Sequence, residues 1–249
     1  MSTGVQTAIG RFVWHDHGSP EPAKATKFYA DLFGWEYETF KPGEMDYEMI
    51  KTNGQLHGGF GTPPENPPPM WLGHVLVKDV DETVLRTESA GGKILAEPME
   101  IPEVGRLAVI ADPQGAVIAA FSPQGEPPEN AGMFVWDELL TTDVDDAKRF
   151  YGEVFGWTSK DMPMGSTTYT MFKRAGDTDA GGLMQRPDEN IPPNWTTYIA
   201  TPDVDATVAK ARDLGATILG EPRDIPNMGR YAIVQDPTGA VFGVWQGVS

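Results

Sequence analysis

Four histidines, His15, His17, His57 and His74, supply all the imidazole in the chain, and every one lies in its first half. There is no cysteine, so thiolate chemistry and disulfides are excluded. His15-Asp16-His17 is the densest candidate. In a strand the two imidazoles share one face and Asp16 takes the other. A metal would need further ligands, which the sequence does not place. The competing reading is polar residues at a strand end, since Gly18-Ser19-Pro20 follows. His57, just before Gly58-Gly59, reads as a loop residue. Asp16 and Glu138 are candidate general bases if desolvated, or solvated acids at strand ends. Arg106 and Arg230 each follow a glycine and precede a strand. They either clamp a carboxylate or pair with surface acids.

Excess acid narrows the partners. Net charge is −17, from 36 Asp and Glu against 19 Lys and Arg. Nucleic acid and anionic membrane both need a basic surface, so neither is expected. Apolar runs such as 116–121 are too short to span a bilayer. The start, MSTGVQTAIGRF, lacks the basic region and apolar core of a signal peptide. A cytoplasmic protein, monomeric or homodimeric, is expected.

These candidates sit in a repeat. Residues 134–157, FVWDELLTTDVDDAKRFYGEVFGW, repeat 12–35, FVWHDHGSPEPAKATKFYADLFGW. Trp136, Phe150 and Trp157 each lie 122 residues after Trp14, Phe28 and Trp35. Each copy reads as an apolar strand, a loop and an amphipathic helix. Ala147, Phe150, Tyr151, Val154 and Phe155 form one helical stripe, and Ala25, Phe28, Tyr29, Leu32 and Phe33 the other. Gly156 and Gly34 stand where a helix end wants a left-handed residue, and Asp143 is placed to cap a helix start.

A second pattern repeats at 124. Trp71 matches Trp195, Asp79 matches Asp203, Glu97-Pro98 matches Glu221-Pro222, and Asp112-Pro113 matches Asp236-Pro237. Pro-rich stretches at 62–69, 123–130 and 191–193 separate the units. The spacing predicts an α+β chain of four βαβββ modules, each a strand, a helix and three more strands. Two domains are expected, at 8–124 and 131–249. The first short strands are expected at 37–40 and 47–51, with a turn at Lys41-Pro42-Gly43. Another is expected to begin at Gly58-Gly59-Phe60, and another to cover 93–95.

FYADLFGW and FYGEVFGW, the Asp-Val-Asp openings at 79–81 and 203–205, and the Asp-Pro-x-Gly-Ala turns at 112–116 and 236–240 together resemble the vicinal oxygen chelate superfamily. That superfamily includes glyoxalase I, bleomycin-resistance proteins and extradiol dioxygenases. The resemblance covers nearly the whole chain. It implies glyoxalase/bleomycin-resistance-like half-open β-barrel domains with ligands inside the cup. Double-length relatives include proteins named as hydroxylases and as accessory proteins of antibiotic metabolism. Fold of this kind does not fix the reaction.

In metal-dependent members, the resemblance implies ligands on the opening strand and on the last strand of paired modules. Here those places read Trp14 and Trp136, then Ala119 and Gly243. The ligand on the second module's opening strand falls on His74 or Leu72, and its partner in the second half is Tyr198 or Thr196. Indole, methyl and bare glycine coordinate no zinc, iron or nickel. No metal and no cofactor are expected.

Strand alternation groups Phe12, Trp14 and Asp16; Leu72 and His74; and Val117, Ala119 and Phe121. The second half groups Phe134, Trp136 and Glu138; Thr196 and Tyr198; and Val241, Gly243 and Trp245. Such walls suit a small planar aromatic or carbonyl-bearing ligand held by Trp14, Phe121, Trp136, Tyr198, Gly243 and Trp245. The competing reading is that the tryptophans plug the metal position and pack the core. An enzyme of lyase, isomerase or hydroxylase-like type, using Asp16, Glu138 or His74, is the alternative to a binding protein.

Overall fold

The computed structural model describes residues 8–41, 47–52, 54–62, 67–127, 133–164 and 167–248. The first module runs β1 (Phe12–Gly18), α1 (Pro22–Phe33), β2 (Glu36–Phe40), β3 (Tyr47–Thr52) and β4 (Gln55–Gly61). The second is β5 (Met70–Leu76), α2 (Val80–Ser89), β6 (Lys93–Ile101), β7 (Gly105–Ala111) and β8 (Val117–Pro123). The third is β9 (Phe134–Thr141), α3 (Val144–Phe155), β10 (Thr158–Met164), β11 (Thr167–Arg174) and β12 (Thr178–Gln185). The fourth is β13 (Asn194–Ala200), α4 (Val204–Asp213), β14 (Thr217–Ile225), β15 (Gly229–Gln235) and β16 (Val241–Gly247). The turn expected at Lys41-Pro42-Gly43 and parts of the linkers at 62–69 and 123–130 lie outside the described residues.

Local chemistry accounts for the helices. The side chains of Asp79, Asp143 and Asp203 accept from the backbone N–H of Glu82, Asp146 and Ala206, so the repeated Asp-Val-Asp is a helix cap. Helix α1 lacks a side-chain cap and begins instead with Pro22, whose fixed φ suits a first turn. Gly34 and Gly156 end α1 and α3 at φ 73° and 71°. The second Asp of each opening is bound by an arginine from the following hairpin. Arg106 takes Asp81 through two bonds of 2.8 Å, and Arg230 takes Asp205 at 2.7 and 2.9 Å. Arg230 also bonds Asp224 at 2.9 Å. Both arginines therefore serve surface acids.

Two eight-stranded mixed sheets result, ordered β2-β3-β4-β1-β5-β8-β7-β6 and β10-β11-β12-β9-β13-β16-β15-β14. Each order has two free ends, so the sheets are half-open. Strand β4 begins at Gln55, three residues before the Gly58-Gly59 pair that marked it in the sequence. Strand β6 is longer than expected, because it continues through Glu97-Pro98, and β14 continues through Glu221-Pro222. Both are edge strands, with register shifts on either side of Ala96 and of Gly220. A proline without an N–H is tolerated at an edge, and with a bulge it discourages pairing with another chain.

The compact units do not follow the halves. One holds the chain to Trp14, Gly73–Pro128 and Asp137–Trp195, and so joins the second module to the third. The other holds His15–Leu72, Glu129–Trp136 and Thr196–Ser249, and joins the first to the fourth. In the first unit Val75, Ile110, Ile118, Leu139, Phe150, Tyr151 and Phe172 pack into one core. In the second, Phe28, Tyr29, Trp35, Phe60, Trp71, Val234 and Phe242 do so. Each such side chain, fully buried, contributes about 1.5–3 kcal/mol.

Candidate functional site

The motifs that repeat along the chain meet inside each unit. In the unit of the first and fourth modules, Tyr29 on α1 donates to Asp236 Oδ2 at 3.1 Å, and Trp71 Nε1 donates to the Tyr29 hydroxyl at 2.8 Å. Asp236 Oδ1 accepts from the backbone N–H of Thr238, Gly239 and Ala240, and from the Thr238 hydroxyl. In the unit of the second and third modules, Tyr151 donates to Asp112 Oδ2 at 3.1 Å and Trp195 to Tyr151 at 2.8 Å. Asp112 Oδ1 accepts from the N–H of Gln114, Gly115 and Ala116. The Tyr of Phe-Tyr, the Asp of Asp-Pro-x-Gly and the opening Trp thus form a buried tie between modules. Burial pushes both tyrosine hydroxyls well above their ordinary pKa, and the neighbouring carboxylate adds to it.

Two side chains distinguish the two ties, the Thr238 hydroxyl on Asp236 and, more deeply placed, His17. His17, fully buried, meets Asp236 Oδ2 through Nε2 at 2.7 Å, and the matching position 122 residues on is Leu139. The His17 ring sits among Tyr29, Phe60 and Trp71 at 5.6, 5.1 and 5.2 Å. Burial raises the pKa of Asp236, but the hydrogen bond and charge of His17, together with the hydrogen bonds of Thr238, outweigh it and leave the group below its ordinary value. Asp112 has no histidine. Burial dominates there and raises it.

The other members of His15-Asp16-His17 are also engaged. His15 is buried and stacks on Phe134, ring centroids 4.2 Å apart and 27° between planes. Asp16 is half-buried and accepts from the Tyr47 hydroxyl. The Tyr47 ring reaches Asp16 across β4, and a side chain at Gly59 would collide with the phenol. Glu138 is half-buried on β9. His57 lies on β4 rather than in a loop. It shares a 2.6 Å hydrogen bond with Thr52 Oγ1, and burial lowers its pKa.

Strand register shows what the candidate residues face. His74 stands opposite Ala119, and Tyr198 opposite Gly243. His74 is buried, with its ring 6.2 Å from that of Phe121. Phe121 itself packs with Ala8, Val13 and Leu76. The Tyr198 ring lies directly on Gly243, and any side chain there would strike it. The space beside Gly243 is therefore taken by the tyrosine. Tyr231 lies edge-on to Tyr198 at 6.4 Å, and Trp245 pairs with Tyr231 in register. Trp14, Trp136 and Trp245 are half-buried. Sequence reasoning missed Tyr47, Asp236, Tyr29 and Trp71 as partners. The repeated motifs signalled Tyr29, Trp71 and Asp236, but nothing in the linear pattern pairs residues as far apart as Tyr29 and Asp236.

A fold of this architecture, with these motif-bearing turns, defines a protein class. The model of the Glyoxalase/Bleomycin resistance protein/Dioxygenase superfamily matches residues 18–120 and 134–244, and the chain belongs to that superfamily. It is 35% identical over 241 residues to a Mycobacterium tuberculosis protein provisionally named glyoxylase CFP32, covering 93% of this chain and 92% of that one. It is 32% identical over 258 residues to the anthracycline biosynthesis protein DnrV of Streptomyces peucetius, covering 95% and 93%. The Mn(II)-bound glyoxalase of Novosphingobium aromaticivorans shares the fold, with TM-score 0.65, 17% identity and coverage of 97% and 83%.

The donor set here does not fit such a metal. Four implied ligand positions carry Trp14, Trp136, Ala119 and Gly243, which offer no donor, and the remaining two fall on His74 or Leu72 and on Tyr198 or Thr196. Among the described residues no three of His, Asp or Glu converge on a point where an ion could sit. No helix among the described residues is long and apolar enough to cross a membrane.

Proposed function

We propose that this chain binds a small planar aromatic or carbonyl-bearing molecule without a metal, through the aromatic side chains of its second half. The observation that carries this is Tyr198 seated on Gly243, with Tyr231 at its edge, where metal-dependent relatives would carry donors. Half-buried Trp136 and Trp245 in the same unit offer stacking area with a polar N–H. Half-buried Trp14 and buried Phe121 offer the corresponding area in the first half. The name of the anthracycline biosynthesis relative supports an aromatic ligand. The reading takes 8–124 and 131–249 as the two domains, supported by each sheet drawing its strands from one half. It also takes the acidic chain to act in the cytoplasm, apart from nucleic acid.

The test is titration with alizarin, a planar hydroxy-quinone, following indole emission. Saturable quenching is expected, weakened at least ten-fold by Trp136→Ala and retained in Ala119→Leu. Absence of saturable quenching would overturn the reading.

A second reading is favoured by the hydrogen bond between Tyr47 and Asp16. On that reading the chain is an enzyme and Asp16 is its base. A phenol donating to a carboxylate orients it and holds it deprotonated, ready to accept a proton, at some cost in basicity.

A further inference from the structure

His15-Asp16-His17 resembles a metal-binding triplet in the sequence. In the structure each member is held by a different element of one compact unit. His15 stacks on Phe134, Asp16 accepts from Tyr47, and His17 bonds Asp236 at 2.7 Å. The two imidazoles are buried, and the carboxylate between them is only half-buried. Strand alternation puts the imidazoles on one face of β1 and Asp16 on the other. The strand is therefore pinned from behind at two points, on either side of the residue it presents.

We propose that His17 and Tyr47 are positioning residues that hold Asp16 as a proton-accepting carboxylate for a planar ketone with an acidic C–H. The proposal rests on the second reading above. His17 acts through the backbone. Its bond to Asp236 ties β1 to the β15–β16 turn, 219 residues away, and so fixes the rotation of the strand about its axis. Tyr47 acts directly on the carboxylate. Gly59 makes its approach possible, since any side chain there would strike the ring.

The matching stretch of the third module keeps the acid, the tyrosine and the glycine, as Glu138, Tyr169 and Gly182, and lacks the two imidazoles. Asp137 stands at the place of His15 and Leu139 at that of His17. Pinning of this kind matters for catalysis because a base displaced by an ångström loses much of its effect.

The reaction balances without a redox partner. The carbon-bound proton passes to the Asp16 carboxylate, and the C–H electron pair moves into the enolate, with charge on the carbonyl oxygen. The proton then returns to carbon from Asp16 after exchange with water. In deuterium oxide the ketone gains deuterium and is otherwise unchanged.

2-Indanone, a planar ketone with benzylic C–H bonds, is the probe. Its methylene proton signal is followed by NMR in deuterium oxide, and its binding by indole quenching. The wild-type chain is expected to accelerate exchange over buffer, and Asp16→Asn to return it to the buffer rate. Tyr47→Phe and His17→Leu are each expected to lower the saturated rate about ten-fold while leaving the half-saturating concentration unchanged. His17→Gln, which keeps a donor toward Asp236, is expected to restore most of the rate. A general loss of structure would move the half-saturating concentration as well. Wild-type rates in both Tyr47→Phe and His17→Leu would overturn the proposal. Binding of 2-indanone without accelerated exchange would overturn it too and leave the binding reading standing. Neither binding nor exchange would count against both.

Discussion

In the unit of the first and fourth modules, the outer oxygen of Asp236 receives both Tyr29 and His17. In the unit of the second and third, the same oxygen of Asp112 receives Tyr151, with Leu139 at the histidine's place. The turn, the three backbone donors, the tyrosine and the tryptophan behind it are otherwise shared. Two added side-chain donors, His17 and the Thr238 hydroxyl, reverse the balance on a buried carboxylate: Asp236 is pulled below its ordinary range and Asp112 is pushed above it. A buried acid is governed less by its depth than by whether a partner stabilises its charged form.

The comparison breaks most visibly if the carboxylates are removed. Asp236→Ala leaves buried His17 and Tyr29 and several backbone donors without their acceptor, and is expected to cost about 3–5 kcal/mol. Asp112→Ala strands no histidine and is expected to cost about 1–3 kcal/mol. Urea unfolding of both variants checks this, and equal losses would mean His17 contributes nothing to the tie.

Exchanging the histidine and its leucine counterpart sharpens the test. His17→Leu is expected to destabilise by about 1–3 kcal/mol, because Asp236 keeps its burial and loses a donor. Leu139→His is expected to lower the Asp112 pKa toward that of Asp236. Carboxyl carbon NMR of Leu139→His reads that shift, and an unmoved Asp112 signal would show that the second turn cannot accept the ring.

The pH dependence follows in sign from the two directions. Asp236, depressed, contributes stability above the unfolded carboxylate value of 3.8, and that stability is lost as pH falls through its lower folded value. Asp112, raised, contributes below 3.8, and its contribution is lost as pH rises through its higher folded value. Acid is thus expected to loosen the first-and-fourth unit and not the other. In wild-type protein the two carboxyl carbons should titrate on opposite sides of 3.8, and titration on one side would remove the contrast.

The smallest effects belong to what the units share. Tyr29→Phe and Tyr151→Phe each remove one hydroxyl that both donates to the aspartate and accepts from a tryptophan. Each is expected to cost about 1 kcal/mol, with Tyr29→Phe milder because His17 still serves Asp236. Thermal unfolding of the pair checks the order.

Much of this architecture is legible along the chain. Helix periodicity, capping aspartates and glycine stops are local, so the repeats at 122 and 124 announce four modules with the right strands and helices. Strand β6 runs past the expected 93–95 and through Pro98, because proline is tolerated at an edge and nothing local says which strand is at an edge. His74 opposite Ala119, and Tyr198 filling the space at Gly243, needed the register between β5 and β8 and between β13 and β16. A strand's own alternation does not reveal its neighbour's offset.

Which modules share a core was decided only in three dimensions. Either Phe-Tyr helix offers its hydroxyl to either Asp-Pro-x-Gly turn, and the two helices, like the two turns, are alike in sequence. The pairing of Tyr29 with Asp236 and of Tyr151 with Asp112 depends on which apolar faces close on each other. That choice is made by packing summed over whole modules, and no single residue carries it. His17 shows the limit most plainly. As a residue type it suggested a metal ligand, and its position against Asp236, 219 residues away, makes it a tie.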